Sequence, residues 1–288
     1  MTKVMSSFYE VLTQGRTVSC RPRGRFKISG QEVLAGDRAL IRLLKEGTGY
    51  IEEIAPRRNF LVRPPVANID VAVIVFSTDD PPLNLELVDR VLTNSLATGV
   101  KPVLCLNKTD LARPGQVEAI LSTYASTGAD FFATVATQGL GVPDLRARLQ
   151  GQVSVLVGQS GVGKSRLLNS LVPGASRRTG EVSSRIRRGK HTTRHVELIS
   201  LEGGGFIADT PGFSLLDPVV VGIWELSSFF PEIEKVQAGC RFTDCLHRDE
   251  PDCAVKQALA AGLIPESRYK NYLTILRELE QIDSRRYQ

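Results

Sequence analysis

The stretch GQSGVGKS, residues 158–165, holds residue types that bind phosphate. Gly158, Gly163, Lys164 and Ser165 fit G-x-x-x-x-G-K-[ST], with the apolar run VSVLV before them and the helical pattern SRLLNSL after. Glycines let a loop turn its N–H groups inward around a phosphate, and Gln159, Ser160, Gly161 and Val162 complete that cradle. The helix that follows adds partial positive charge at its N-terminus. In such a loop Lys164 reaches the β- and γ-phosphates and Ser165 holds Mg²⁺. A chance glycine turn is the alternative; strand, motif and helix in sequence argue against it. ADTPGF, residues 208–213, adds a second element. Its apolar run ends on Asp209, which can bind Mg²⁺ through water, and the Gly212 N–H can meet the γ-phosphate.

LCLNKTD, residues 104–110, offers base recognition. The Asp110 carboxylate can accept two hydrogen bonds, from the ring N–H and the exocyclic amine of guanine. Adenine presents an acceptor at the first position and lacks the second donor. A buried carboxylate left unpaired is costly, so discrimination of roughly 10⁴-fold is reachable. Asn107 would brace the loop and the Lys108 stem would cover the base. An ordinary polar turn after a strand is the bland alternative, weakened by the phosphate loop further on. A third base contact is expected near Thr134-Val135-Ala136, from the N–H of Val135 or Ala136.

The two loops come in reverse order: base first, phosphate second. Both can serve one nucleotide if the sheet is unchanged and the chain is cut elsewhere. The old ends would then be joined through VPDLRARLQGQ, residues 142–152, and the new ends would fall before IDVAVIV and after DTPGF. Neighbouring chain ends make such a permutation tolerable.

The elements around these loops follow from patterning. Residues 1–65 alternate short apolar runs with Gly and basic turns (GRTVSC, GRFKISG, GDRALIRLL, GYIEEI), the spacing of a small all-β barrel. PRRNFLVRPP, residues 56–65, reads as a connector. Residues 69–209 alternate continuous apolar runs with helical stretches, the pattern of a doubly wound parallel sheet. Residues 229–288 show no strand run. A stripe there (Tyr269, Tyr272, Leu273, Leu276, Leu279, Ile282) is read as core packing.

Residues 240–253 carry Cys240, Cys245, His247 and Cys253. Three sulfurs and one imidazole suit tetrahedral Zn²⁺ in a closed, structural site. Five cysteines in all, an odd number and clustered, argue for metal over disulfides; buried free thiols are the alternative. Cys105, in an apolar run, is read as packing, and His195 as structural.

The net charge of +5 is uneven: residues 1–66 hold 12 Lys/Arg against 6 Asp/Glu, while the rest is near balance. That excess (Arg21, Arg23, Arg25, Lys27 among it) suggests a polyanionic partner or else a solvated basic face. No apolar run approaches the ~20 residues that span a bilayer, and the start has no apolar signal core. The expectation is a cytoplasmic chain with no membrane association, and nothing calls for more than a monomer.

The order NKTD, GQSGVGKS, TGEVSSRIRRGKHTTRH, DTPGFS, then a Cys-Cys-His-Cys knot resembles the circularly permuted GTPases of the RsgA (YjeQ/EngC) family. RGRF (23–26), GDR (36–38) and RRNFLVRPPVANID (57–70) extend the likeness over nearly the whole chain. It implies a multidomain α/β chain: an OB-fold β-barrel (1–65), a permuted P-loop GTPase (66–228) and an α-helical zinc domain (229–288). It implies GTP hydrolysis to GDP and phosphate, Mg²⁺ with the nucleotide, and stimulation by the small ribosomal subunit, whose late maturation the family serves by binding it and its rRNA.

Within that resemblance, residues 179–195 occupy the place of the first switch. Thr192 or Thr193 is the expected Mg²⁺ ligand; Arg194 and Lys190 depart from the usual pattern and leave the register open by one residue. Ras-like enzymes orient the attacking water with Gln after the D-x-x-G glycine. Phe213 stands here, and a phenyl ring cannot do this. His191 is the candidate replacement; a surface histidine contacting RNA or nothing is the alternative. A GTP-gated RNA-binding module with negligible turnover is the rival function, and Asp110 speaks against an ATPase or metabolite kinase.

Overall fold

The computed structural model describes residues 1–5, 8–23, 32–44, 47–61, 64–174, 196–209, 219 and 221–286. The chain divides into two compact units. The first takes Met1–Val73, Ala136–Leu156 and Gly163–Phe213; the second takes Ile74–Val135, Val157–Val162 and Ser214–Gln288.

In the first unit, the N-terminal strands are β1 (Lys3–Val4), β2 (Tyr9–Thr13), β3 (Arg16–Pro22), β4 (Ala39–Leu43) and β5 (Thr48–Ile54). Alternation turns Val18 and Cys20 inward together, and a register shift between β4 and β5 brings Ile54 to the same face as Ile51; with Val11 and Val33 they form a small core. GRFKISG lies outside the described residues. Phe60–Leu61 (β6) and Val66–Ala67 (β7) pair as a short hairpin where a plain connector is expected. The two prolines sit at its turn, where no ladder N–H is needed. Asp37, fully buried, takes the Arg57 Nε at 2.7 Å, the Arg57 Nη2 at 2.9 Å and the Leu34 N–H at 2.8 Å. The connector is thereby tied to the barrel.

Strands β11 (Val153–Val157), β12 (Glu197–Ser200) and β13 (Phe206–Asp209) belong to the same unit, whose strand order is β11-β13-β12-β1-β2-β3-β5-β4. β11 and β13 are parallel, β12 and β13 antiparallel, and β1 joins β12 through one register pair. The helices α3 (Val142–Leu149) and α4 (Lys164–Leu171) bury Leu145, Leu149, Leu167 and Leu171. The predicted helical return over 142–152 is α3.

The second unit carries β8 (Val71–Ser77, from Ile74 on), β9 (Lys101–Asn107) and β10 (Asp130–Thr134) in the order β10-β9-β8. Every residue of β8 is buried, as its unbroken apolar run requires. Helices α1 (Leu85–Ala97) and α2 (Gln116–Tyr124) flank these strands in sequence. Asn84 caps α1 by accepting from the Leu87 N–H at 3.0 Å. The C-terminal part is helical: α5 (Pro231–Gln237), α6 (Ala254–Ala260) and α7 (Glu266–Arg286). Its core is Leu226, Phe230, Ile233, Val255, Tyr272, Ile275, Leu276 and Leu279. Of the predicted stripe, Tyr272, Leu276 and Leu279 lie in this core with Ile275, Tyr269 and Leu273 pack against it, and Ile282 is half-buried outside it. Among the described residues no helix is long and apolar enough to cross a membrane.

Candidate nucleotide site and metal centre

β9 delivers the base-recognition loop. Asn107 ends the strand 2% exposed, and its amide Nδ2 donates to the Val162 carbonyl at 2.8 Å. Its Oδ1 accepts from the Thr134 hydroxyl at 3.1 Å. The orientation of the amide is therefore fixed at both ends, and the base loop is braced on the phosphate loop. Lys108 takes the left-handed conformation (φ 61°) and donates to the Asp80 carbonyl. Asp110 follows in a 3-10 turn, Thr109–Leu111, exposed to solvent. Its carboxylate is available to a ligand while its backbone is held: Thr109 Oγ1 donates to the Thr134 carbonyl at 3.3 Å. Val135 and Ala136, the candidates for the third contact, are buried.

The phosphate loop runs from β11 to α4. Gly158, Gly161 and Gly163 have φ of 145°, 90° and 98°, values that L side chains avoid. A Cβ on Gly158 would also collide with the Val75 carbonyl. Gln159, Ser160 and Val162 lie between the glycines, with Val162 buried beneath. Lys164 opens α4 half-buried, and burial pulls its ammonium below the ordinary lysine value. An anion beside it would oppose that pull. Ser165 is exposed one residue on.

Asp209 ends β13. Burial, and then the charge of Glu197, push its carboxyl above the ordinary value. A hydroxyl and a carboxylate are hard oxygen donors of the type Mg²⁺ takes, so Ser165 and Asp209 fit that ion in kind. His191, Thr192, Thr193, His195, Gly212 and Phe213 lie outside the described residues.

Cys240, Cys245, His247 and Cys253 converge, their ligand atoms all within 4.8 Å of one another. His247 Nδ1 stands 3.5 Å from the Cys240 sulfur and 3.7 Å from that of Cys253; the two sulfurs are 3.9 Å apart. A tetrahedron with Zn–S near 2.3 Å has ligand edges of roughly 3.8 Å, so the cluster fits zinc. Burial pushes the Cys245 thiol up to about 12, with its sulfur neighbours adding to this. A bound dication reverses that by stabilising thiolates.

Helix α7 holds the knot in shape. Tyr269 donates to the His247 carbonyl at 2.7 Å, and Tyr272 to that of Leu246 at 3.1 Å. Glu250 accepts from the N–H groups of Leu246 and Arg248 at 2.8 and 2.7 Å. The sequence reading missed these supports. Its one available signal was Tyr, not Phe, in a core stripe, since a buried hydroxyl requires a partner. Thr134 enters the sequence reading only as the first residue of the segment expected to supply a third base contact.

Base loop, phosphate loop and Asp209 strand, in this chain order, define a circularly permuted P-loop GTPase. A family model for the RsgA GTPase matches residues 54–218, and one for the RsgA N-terminal domain matches residues 1–51. The chain belongs to the RsgA GTPase family. It is 42% identical over 283 residues to the small ribosomal subunit biogenesis GTPase RsgA of Caldanaerobacter subterraneus, covering 98% of this chain and 96% of that one. The namesake from Moorella thermoacetica is 46% identical over 272 residues, covering 94% and 93%. Among solved structures, YjeQ from Thermotoga maritima superposes with a TM-score of 0.84 at 32% identity, covering 96% of each chain. YloQ, described as a circularly permuted GTPase, gives 0.82 at 36% identity, covering 97% of this chain and 93% of that one.

Proposed function

We propose that this chain hydrolyses GTP to GDP and phosphate in response to the small ribosomal subunit, and serves maturation of that subunit. The observation that carries the nucleotide half is the Asn107–Val162 hydrogen bond, which joins the base loop to the phosphate loop across the permuted order. The ribosomal half is supported by the names of relatives that match over nearly the whole chain.

Asp110 selects guanine, Lys108 covers the base, and residues 158–163 wrap the phosphates. Lys164 holds the β- and γ-phosphates in line. Ser165 and Asp209, with Thr192 or Thr193, would hold Mg²⁺, which supplies charge neutralisation on the phosphates. Gly212 donates to the γ-phosphate and His191 positions the attacking water. The four residues of the Cys/His knot hold one structural Zn²⁺. The working division is a barrel over 1–65 that contacts rRNA, the GTPase over 66–228 and the zinc-bearing helices over 229–288, in a cytoplasmic monomer.

Steady-state GTP hydrolysis by the full chain, with and without small subunits and with ATP as control, tests this. Large stimulation by the subunit with ATP inert is the expected result, and His191→Ala should abolish the stimulated turnover while sparing GTP binding. Tight GTP binding without stimulation would favour a nucleotide-gated RNA binder.

A further inference from the structure

Three adjacent strands of the first unit set a row of charges side by side. β12 places Glu197 in direct antiparallel register with Asp209 on β13. On its other side β1 places Lys3 in direct register with Glu197. Directly opposed residues share a face of the sheet, so the three side chains form one line. The Lys3 ammonium is 2.7 Å from the Glu197 carboxylate, with the lysine side chain 14% exposed and the glutamate 33%.

Like charges placed opposite each other destabilise a sheet. Glu197 beside Asp209 is such a pair, and Lys3 offsets it from the far side only. The arrangement becomes favourable once a dication sits at Asp209, because a second carboxylate then attracts the same ion. Lys3 must act in the opposite sense: it neutralises Glu197 and repels the ion.

We propose that Glu197 is a positioning residue for the magnesium pole of the nucleotide site, and that Lys3, carried on the N-terminal strand, sets how strongly it acts. The inference rests on the GTPase reading above. It gives the barrel strand β1 a direct electrostatic hold on the ion that GTP requires.

A plain staple between β1 and β12 is the competing account. It predicts that losing either partner lowers stability and leaves Mg²⁺ dependence alone. The experiment is a Mg²⁺ titration of a fluorescent GDP analogue bound to the full chain, with melting temperatures recorded in parallel. Glu197→Gln should raise the half-saturating Mg²⁺ concentration by roughly three- to ten-fold, and Lys3→Met should lower it by a similar factor. In the Glu197→Gln background, Lys3→Met should have a smaller effect, that of the lysine charge on the ion alone. A shift missing in either single variant, or shifts of one sign in both, overturns the proposal. Absence of Mg²⁺-dependent guanine nucleotide binding in the unaltered chain overturns the GTPase reading itself, and this inference with it.

Discussion

Asp110 stands exposed at the end of a loop whose neighbours are all tied down. Asn107 is held by Val162 and Thr134, and Thr109 is bonded to the Thr134 carbonyl. The carboxylate is thus pre-positioned and pays little ordering entropy when a base arrives. Asp110→Asn replaces an acceptor pair with one acceptor and one donor, so a guanine N–H faces an N–H. Affinity for a fluorescent GDP analogue should fall at least ~100-fold, with little change in melting temperature. Weakening below tenfold would remove Asp110 from base recognition. At the same scale, Thr134→Val should reproduce part of the loss, because the Asn107 amide then lacks the Thr134 hydroxyl that fixes its oxygen.

Helix α7 meets α1 and α5 through buried charge. The Arg268 guanidinium, 1% exposed, donates to Asp89 and to Glu232, each at 2.6 Å. It lies over the Phe230 ring at 4.5 Å, and Asn271 donates to the second Asp89 oxygen at 2.6 Å. The two carboxylates hold Arg268 firmly charged despite the burial that opposes it. Arg268→Met would leave two uncompensated buried carboxylates, at a cost of about 3–5 kcal/mol. A denaturant melt should show that loss, and adding Asp89→Asn with Glu232→Gln should recover part of it. At the edge of the same contact, Arg90 hydrogen-bonds Glu278 and holds its carboxyl below the ordinary 4.5. A depressed carboxylate contributes stability that is present above its unfolded value and lost as pH falls through its folded value. The destabilisation caused by Arg90→Met should therefore be visible at neutral pH and shrink below about 4.5. It should stay within ~1 kcal/mol, since the Glu278 side chain is 41% exposed.

For the molecule as a whole, the Cys/His knot and the nucleotide loops are separate devices. The knot is shaped by Tyr269, Tyr272 and Glu250; the base loop is braced by Val162 and Thr134. No hydrogen bond named for one serves the other. Chelation, or Cys240→Ser, should release one zinc per chain and lower the melting temperature by at least ~5 °C. Guanine nucleotide affinity measured at low temperature should change less than threefold. Loss of nucleotide binding in step with zinc would show instead that the knot maintains the base loop.

The parts legible in the sequence are those whose chemistry is local. GQSGVGKS dictates its own backbone through three glycines, NKTD follows directly from the buried strand LCLN, and the Cys/His spacing brings four ligands into reach within one short segment. Their order along the chain was enough to read a permuted GTPase. The long-range pairs were decided only by the tertiary structure. Arg268 finds Asp89 at a sequence separation of 179 residues, and Lys3 finds Glu197 at 194. Such pairs depend on strand register and helix packing, which place distant residues by the burial of their apolar neighbours, and a charged residue read alone carries no mark of its partner. The same applies to the hairpin at residues 60–67, which reads as a connector until β7 supplies the strand that β6 pairs with.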